Sequence, residues 1–297
     1  MAARRCSPEI IVLGDLHGHY DEEDERFLIE RKADLCLFVG DLGDEDPDMA
    51  ERVATLGTNF RVILGNHDAW ESFRHKEVLP RLRACLDAIG RRHLAYDVLD
   101  LPQAGVGIVG CRPFSWGGPS LRSPEVYEDL YGVTDHESSA EAIVEAATRS
   151  RFQQIVLLAH NGPHGLGSRP SDIYGKDFGK PGGDWGDLDL RLAIRRLKSL
   201  GFQIPLVIAG HMHHRLHYPR GEHRRHCLVK PDTVYVNPAR VPRIVENSNG
   251  VIERHYLSVR IADGVLLELS EFYVSAHETR VARLYSREET AQGRSAV

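Results

Sequence analysis

Several things are scarce in this sequence. It has five cysteines (Cys6, Cys36, Cys85, Cys111 and Cys227), an odd and scattered set without a C-x-x-C pair. That pattern argues against a disulfide framework and a zinc–thiolate site, and it suits a reducing compartment. Cys36 stands inside an apolar run and reads as a small buried hydrophobe. No apolar run reaches the ~20 residues of a membrane span. Nine residues precede the first apolar run, at Ile10, too few for a signal or transit peptide. The expectation is a cytoplasmic protein with no membrane partner. Positive charge is also short: Lys plus Arg number 37 against 43 Asp plus Glu, a formal net charge of -6. A dedicated nucleic-acid binder carries a basic face, so that class is disfavoured. A nuclease stays open, because bound metals would reverse the local sign. There is no internal repeat and no low-complexity tract.

The rest is ordinary for a globular chain of 297 residues, with 42% hydrophobic and 27% charged. Histidine stands out, with 16 copies, and their placement carries the argument. The run Ile10-Ile11-Val12-Leu13 reads as a fully buried strand, closed by Gly14-Asp15-Leu16-His17-Gly18-His19. A carboxylate and an imidazole two residues apart beyond a strand can reach one metal ion. An acidic helix over 20–32 follows, then the strand 34–39, which ends in Gly40-Asp41. After a helix over 48–56, the strand 60–64 ends in Gly65-Asn66-His67-Asp68. Strands and helices in alternation predict a parallel α/β sheet, whose ligands bind beyond the carboxyl ends of the strands.

The middle of the chain predicts a helix over 70–89, a strand pair over 94–101 and 106–111, and a helix over 137–148. The turn-rich loop Arg112 to Pro119 carries two aromatics and is either a packed surface loop or a substrate wall. A buried strand over 154–159 then ends in His160. The Gly-rich loop 161–187 exceeds ordinary loop length and is either functional or partly disordered. A helix over 188–200 precedes the strand 205–210, which ends in His211-Met212-His213-His214. Strands over 233–236, 253–261 and 265–273 follow, the last two joined by Ala262-Asp263-Gly264 as a hairpin turn. One domain over 8–275 is expected, with a partly frayed tail over 276–297, because the candidate ligands come from both halves of the chain.

Collected in order, the strand ends form the series D-x-H, G-D, G-N-H-D, H and G-H-x-H. This series resembles the calcineurin-like metallophosphoesterases over roughly residues 10 to 240. The resemblance implies an α/β, four-layer αββα sandwich of two mixed β-sheets flanked by helices. It also implies a site for two divalent transition-metal ions. Asp15, His17, Asp41 and His213 would bind one metal; Asp41, Asn66, His160 and His211 would bind the other, with Asp41 bridging. His67 would be the general acid facing the substrate, and Asp68 would orient it. A water held between two cations becomes hydroxide near neutral pH and attacks phosphorus in line, while the metals neutralise the developing charge. The mixed imidazole and carboxylate set favours manganese, iron or zinc, manganese first, over magnesium or calcium.

The chain departs from the phosphoprotein phosphatases of that family, which carry Asp-Arg-Gly after the second motif. Here that stretch is Gly43-Asp44-Glu45-Asp46. A small phosphoester, mono- or diester, is the expected substrate. The stretch Leu158 to Pro163, with the later Gly-Asp-Trp-Gly-Asp, resembles a branch found in photosynthetic bacteria and plastids. His19 and His214 flank the motifs as supporting donors or rim residues. His164, the basic stretch 217–230 and Arg240 read as solvated. The alternative to an enzyme is a non-catalytic metal-binding scaffold of the same fold, but such members typically lose the catalytic His or several ligands. All are present here.

Overall fold

The structure, a computed structural model, describes residues 7–288. In chain order, β1 (Glu9–Gly14), α1 (Glu22–Arg31), β2 (Leu35–Val39), α2 (Pro47–Ala54) and β3 (Phe60–Ile63) alternate as expected. Two helices follow, α3 (Trp70–His75) and α4 (Pro80–Ile89), where one was expected. The break has a local cause: Pro80 holds Leu79 in extended backbone (ψ 157), and Lys76 closes α3 in the left-handed conformation.

The second half starts with β4 (Val98–Leu101) and β5 (Val106–Gly110). Two helices come next, α5 (Pro124–Tyr131), which was not expected, and α6 (His136–Thr148). Pro at its start and left-handed Gly132 at its end delimit α5. Then come β6 (Gln154–Ala159), α7 (Leu188–Ser199) and β7 (Gln203–Ala209). The chain finishes with β8 (Cys227–Val229), β9 (Val234–Val236), β10 (Ile244–Glu246), β11 (Ile252–Ala262), β12 (Val265–Val274) and β13 (Thr279–Ser286). Asp263 and Gly264 both have positive φ (50 and 76), as the tight hairpin between β11 and β12 requires. Residues 279–286, expected to belong to a tail, instead add an edge strand antiparallel to β12. Residues 289–297 and Cys6 lie outside the described residues.

Two mixed sheets result. One runs β13-β12-β11-β1-β2-β3, with β10 paired to β11; the other runs β4-β5-β6-β7-β9-β8. Alternation along each strand explains why the apolar runs are continuous. Ile10, Val12, Leu35, Leu37, Ile108, Val156, Leu206 and Ile208 face one another between the sheets. Ile11, Leu13, Cys36 and Phe38 turn outward onto a helical layer with Leu28, Val53 and Leu82. Leu157, Ala159, Val207 and Ala209 turn the other way, onto Ala140, Ile143, Ala193 and Leu197. A strand covered on both faces has no polar side. The layers are therefore α, β, β and α in a single domain.

Among the described residues the four cysteines are free, and burial pushes the Cys36 thiol up to about 12. No helix among the described residues is long and apolar enough to cross a membrane.

Candidate metal centre

The site lies beyond the carboxyl ends of β1, β2, β3, β6 and β7. Asp15 and His17 follow β1, Asp41 follows β2, Asn66 and His67 follow β3, His160 follows β6, and His211 and His213 follow β7. The backbone there is held in costly conformations. Asp15, His17, Asp41 and His211 all have left-handed φ (43, 45, 47 and 66). Non-glycine residues rarely adopt that region, and such strain collects at functional sites. The loops hold one another in place: His17 N donates to Asp41 O at 2.7 Å, and His211 N donates to Asp15 Oδ2 at 3.0 Å. Two glycines make room. A Cβ on Gly65 would stand 2.2 Å from Asp41 Oδ1, and one on Gly210 would stand 2.2 Å from Asp15 Oδ1.

The donor atoms gather in two groups that share Asp41. In the first, His17 Nε2 and His213 Nε2 are 3.2 Å apart, and His213 Nε2 is 3.6 Å from Asp15 Oδ2. In the second, Asn66 Oδ1 is 2.9 Å from His160 Nε2 and 2.8 Å from His211 Nδ1. Asp41 turns Oδ2 toward His17 (3.5 Å) and Oδ1 toward His160 (3.5 Å). Ligands of one ion bonded at about 2.1 Å stand about 3.0–3.4 Å apart, and the separations here, from 2.8 to 3.6 Å, straddle that range.

The electrostatics agree. Burial pushes the imidazoles of His17, His160, His211 and His213 down, His213 to about 4. They are therefore neutral near pH 7, with lone pairs available for a metal. Burial, then the charge of Asp41, carries the Asp15 carboxyl well above its ordinary range. Burial alone would raise Asp41 too, but His160, His67, His17 and His211 together bring it below its ordinary value. Two carboxyl groups so confined favour a cation between them.

His67 stands at the rim, with its ring centroid 4.7 Å from that of His17. Its Nδ1 is 2.6 Å from Asp44 Oδ1, which leaves Nε2 as the free nitrogen. The expectation for Asp68 is thereby corrected. Its buried carboxylate accepts from Gly65 N (2.8 Å) and Gly43 N (3.2 Å), so it ties two site loops together and is occupied away from the imidazole. Asp44 is the partner of His67 that the motif series missed. Its signal was present in the acidic run Asp44-Glu45-Asp46. Glu45 is buried and receives Glu71 N, Ser72 N and Ser72 Oγ, and Asp46 caps α2. Only Asp44 remains to face the imidazole.

An aromatic wall adjoins His67. Trp70, 39% exposed, lies 4.9 Å from the His67 ring and 4.8 Å from Trp116, over which Arg122 sits at 3.9 Å. Trp185 Nε1 donates to Trp116 O at 2.9 Å, and Ser115 Oγ donates to Asp187 Oδ1 at 2.7 Å. Loop 112–119 thus interlocks with loop 161–187, which is tied rather than loose. Of the other candidates, His19 is exposed, His214 is buried, and His164 contacts Arg191. Arg240 lies on the Tyr273 ring. A groove of about 670 Å³, lined by Phe202, Pro205, Val229, Val265 and Tyr285 among others, opens at the amino ends of β7 and β9 and contains none of these residues.

A family model described as calcineurin-like phosphoesterase matches residues 8–215. No curated protein matches the chain. Among solved structures, TT1561 of Thermus thermophilus is similar with a TM-score of 0.52 at 10% identity, over 94% of this chain and 100% of that one. The NAD nucleotidase NadN of Haemophilus influenzae is similar with a TM-score of 0.47 at 13% identity, over 96% of this chain and 61% of that one. At these identities the likeness concerns the fold alone. The family match spans most of the chain and includes the strand ends that build the candidate metal centre up to His213, and the chain belongs to the calcineurin-like phosphoesterase family.

Proposed function

We propose that the chain hydrolyses a small phosphate mono- or diester at a two-metal centre. Asp15, His17, Asp41 and His213 would hold one ion, and Asp41, Asn66, His160 and His211 the other. The observation that carries this reading is the split of Asp41, one carboxylate oxygen toward each group of donors. The imidazole-rich set suits manganese, iron or zinc. Two such cations, when bound, would supply an acidified water as nucleophile and would take up charge on the phosphoryl oxygens.

The chain's own residues do the rest. Neutral Asn66 limits the negative charge of the site, so an anionic substrate is less strongly repelled. His67, with Nδ1 on Asp44, presents Nε2 to the leaving-group oxygen and protonates it. Trp70 and Trp116 give the leaving group an apolar wall beside that nitrogen. Glu45 stands in the region where phosphoprotein phosphatases carry Arg, and its carboxylate is spent on α3. With the net charge of -6, this favours a small ester over a phosphoprotein or a long nucleic acid. The test is a panel of phosphate mono- and diesters assayed after chelation and after manganese is restored. Activity indifferent to the chelator, or efficient and salt-sensitive cleavage of polymeric nucleic acid, overturns the reading.

A further inference from the structure

The excursion 215–225, between β7 and β8, carries a basic stretch that the chemistry above leaves unused. It helps to enclose a cavity of about 380 Å³ lined by His213, Arg215, Leu216, His217, Arg220 and Val241. His213 is therefore a shared wall. Its Nε2 stands 3.2 Å from His17 Nε2 in the first group of donors, and the residue also lines the cavity.

The cavity is cationic, and its frame is fixed. No acidic residue lines it. Arg215 and Arg220 form no ion pair among the described residues, and Glu222, the one acid of the excursion, is exposed and stands outside the lining. The neighbouring acid, Asp177, is buried and already engaged. Its Oδ1 lies 2.9 Å from Arg224 Nη2, and its Oδ2 accepts from His217 N at 2.7 Å. Arg224 is itself buried. Its Nε donates to His213 O at 3.0 Å, and its Nη1 donates to Pro170 O at 2.8 Å and Asp172 O at 2.9 Å. One buried guanidinium thus ties the excursion to the metal-site strand end and to loop 161–187. Arginines on an anchored frame suit the bidentate binding of an oxyanion.

The place of the cavity selects the part of a substrate that enters it. The leaving group belongs beside His67 and the Trp70–Trp116 wall, and none of these residues lines the cavity. What remains is the substituent that phosphorus keeps. A monoester keeps only oxygen atoms there, which leave a space of about 380 Å³ unfilled. A diester keeps a whole arm.

We propose, resting on the phosphoesterase reading, that the preferred substrate is a phosphodiester whose retained arm ends in a second oxyanion, carboxylate or phosphate, held by Arg215 and Arg220. Water adds across the bond to the leaving group. Its oxygen goes to phosphorus, the leaving P–O bond breaks, and His67 gives its proton to the departing alkoxide and regains one from the water. The products are the leaving alcohol and a phosphate monoester of the acidic arm.

The test supplies the full chain with manganese and p-nitrophenyl diesters whose retained arms, of graded length, end in methyl, carboxylate or phosphonate. At the best length an acidic arm is expected to raise kcat/KM about five- to tenfold over the methyl arm, mainly through KM. Carboxylate against phosphonate identifies the oxyanion. Arg215 and Arg220 are exposed, so the Arg215→Gln/Arg220→Gln double variant is expected to fold, and it should bring that ratio to about one. Equal rates for acidic and methyl arms at every length, or an unchanged ratio in the double variant, overturns the proposal. Hydrolysis of p-nitrophenyl phosphate with every diester left intact also overturns it, while the phosphoesterase reading stands. If nothing is hydrolysed, that reading fails, and calorimetry on the same manganese-loaded chain decides whether the cavity takes an oxyanion. There 3-phosphonopropionate is expected to bind about five- to tenfold more tightly than propylphosphonate, with the difference lost in the double variant; equal affinities overturn the assignment.

Discussion

Asp44 Oδ1 stands 2.6 Å from His67 Nδ1, although the two residues are 23 positions apart and come from the loops after β2 and β3. The next residue in the chain, Asp68, faces away and accepts the backbone N–H groups of Gly43 and Gly65. The two acids therefore divide the work. One holds the imidazole, and the other holds the loops that carry it.

His67→Ala is expected to keep its metals and its fold. General acid help is typically worth ~10²–10⁴-fold and matters most for poor leaving groups. An alkyl phosphate should therefore slow far more than a nitrophenyl phosphate. Asp44→Asn should show the same selectivity at about a tenth of normal activity, with unchanged stability, because the Asp44 side chain is 79% exposed. Parallel rate measurements on the two esters, with metal analysis, check this. Equal slowing of both esters would make His67 a phosphate-positioning group.

Asp41→Asn removes the charge that faces both groups of donors. Both ions should bind more weakly, and activity should fall at least about a hundredfold. Metal analysis after dialysis decides the matter: full occupancy of both sites in this variant would count against a bridging role.

Trp70→Ala should change substrate preference more than stability, since the indole is 39% exposed. Aromatic pairs contribute about 0.5–1.5 kcal/mol beyond area burial, or roughly 2–10-fold in binding. The ratio of kcat/KM for 2-phenylethyl phosphate to that for propyl phosphate should fall by about this factor. The two leaving alkoxides are similar, so an unchanged ratio would mean that the wall does not touch the substrate.

His93 gives a pH dependence of stability unconnected with catalysis. Burial pushes its imidazole down to about 4, and the ring contacts Tyr131 Oη at 3.1 Å. Unfolded, it titrates near 6.5. Between those values the unfolded chain binds the extra proton, so the contribution is fully present above pH 6.5 and is lost as pH falls toward 4. A shift of this size is worth at most about 3 kcal/mol. Urea midpoints at pH 7 and pH 5 should differ less in His93→Gln than in the parent; the same difference in both would assign the acid sensitivity to other groups.

Much of this protein was legible in the residues alone. Runs such as Ile10 to Leu13 and Ile155 to Ala159 declare strands buried on both faces, because covered strands have no polar side. The ligand candidates were legible because each follows such a run directly, and the covalent chain places it at the strand end. The hairpin at Asp263-Gly264 was legible for the same local reason. The short strand β10, the edge strand β13 and the helix break at Lys76–Leu79 were not, since pairing partners and capping geometry decide them. Nor could the sequence choose which acid meets His67. Chain proximity pointed to Asp68, but the left-handed turn at Asp41 and the inward anchoring of Glu45 leave Asp44 facing the ring. The cavity beside His213 was equally hidden. Its lining reads as a basic, solvated stretch in the sequence and becomes a cavity only where Val241 closes it and buried Arg224 fixes the excursion. Local pattern determines which segments are strands and what stands at their ends. Only the packing of two sheets decides which side chains, distant along the chain, share a pocket.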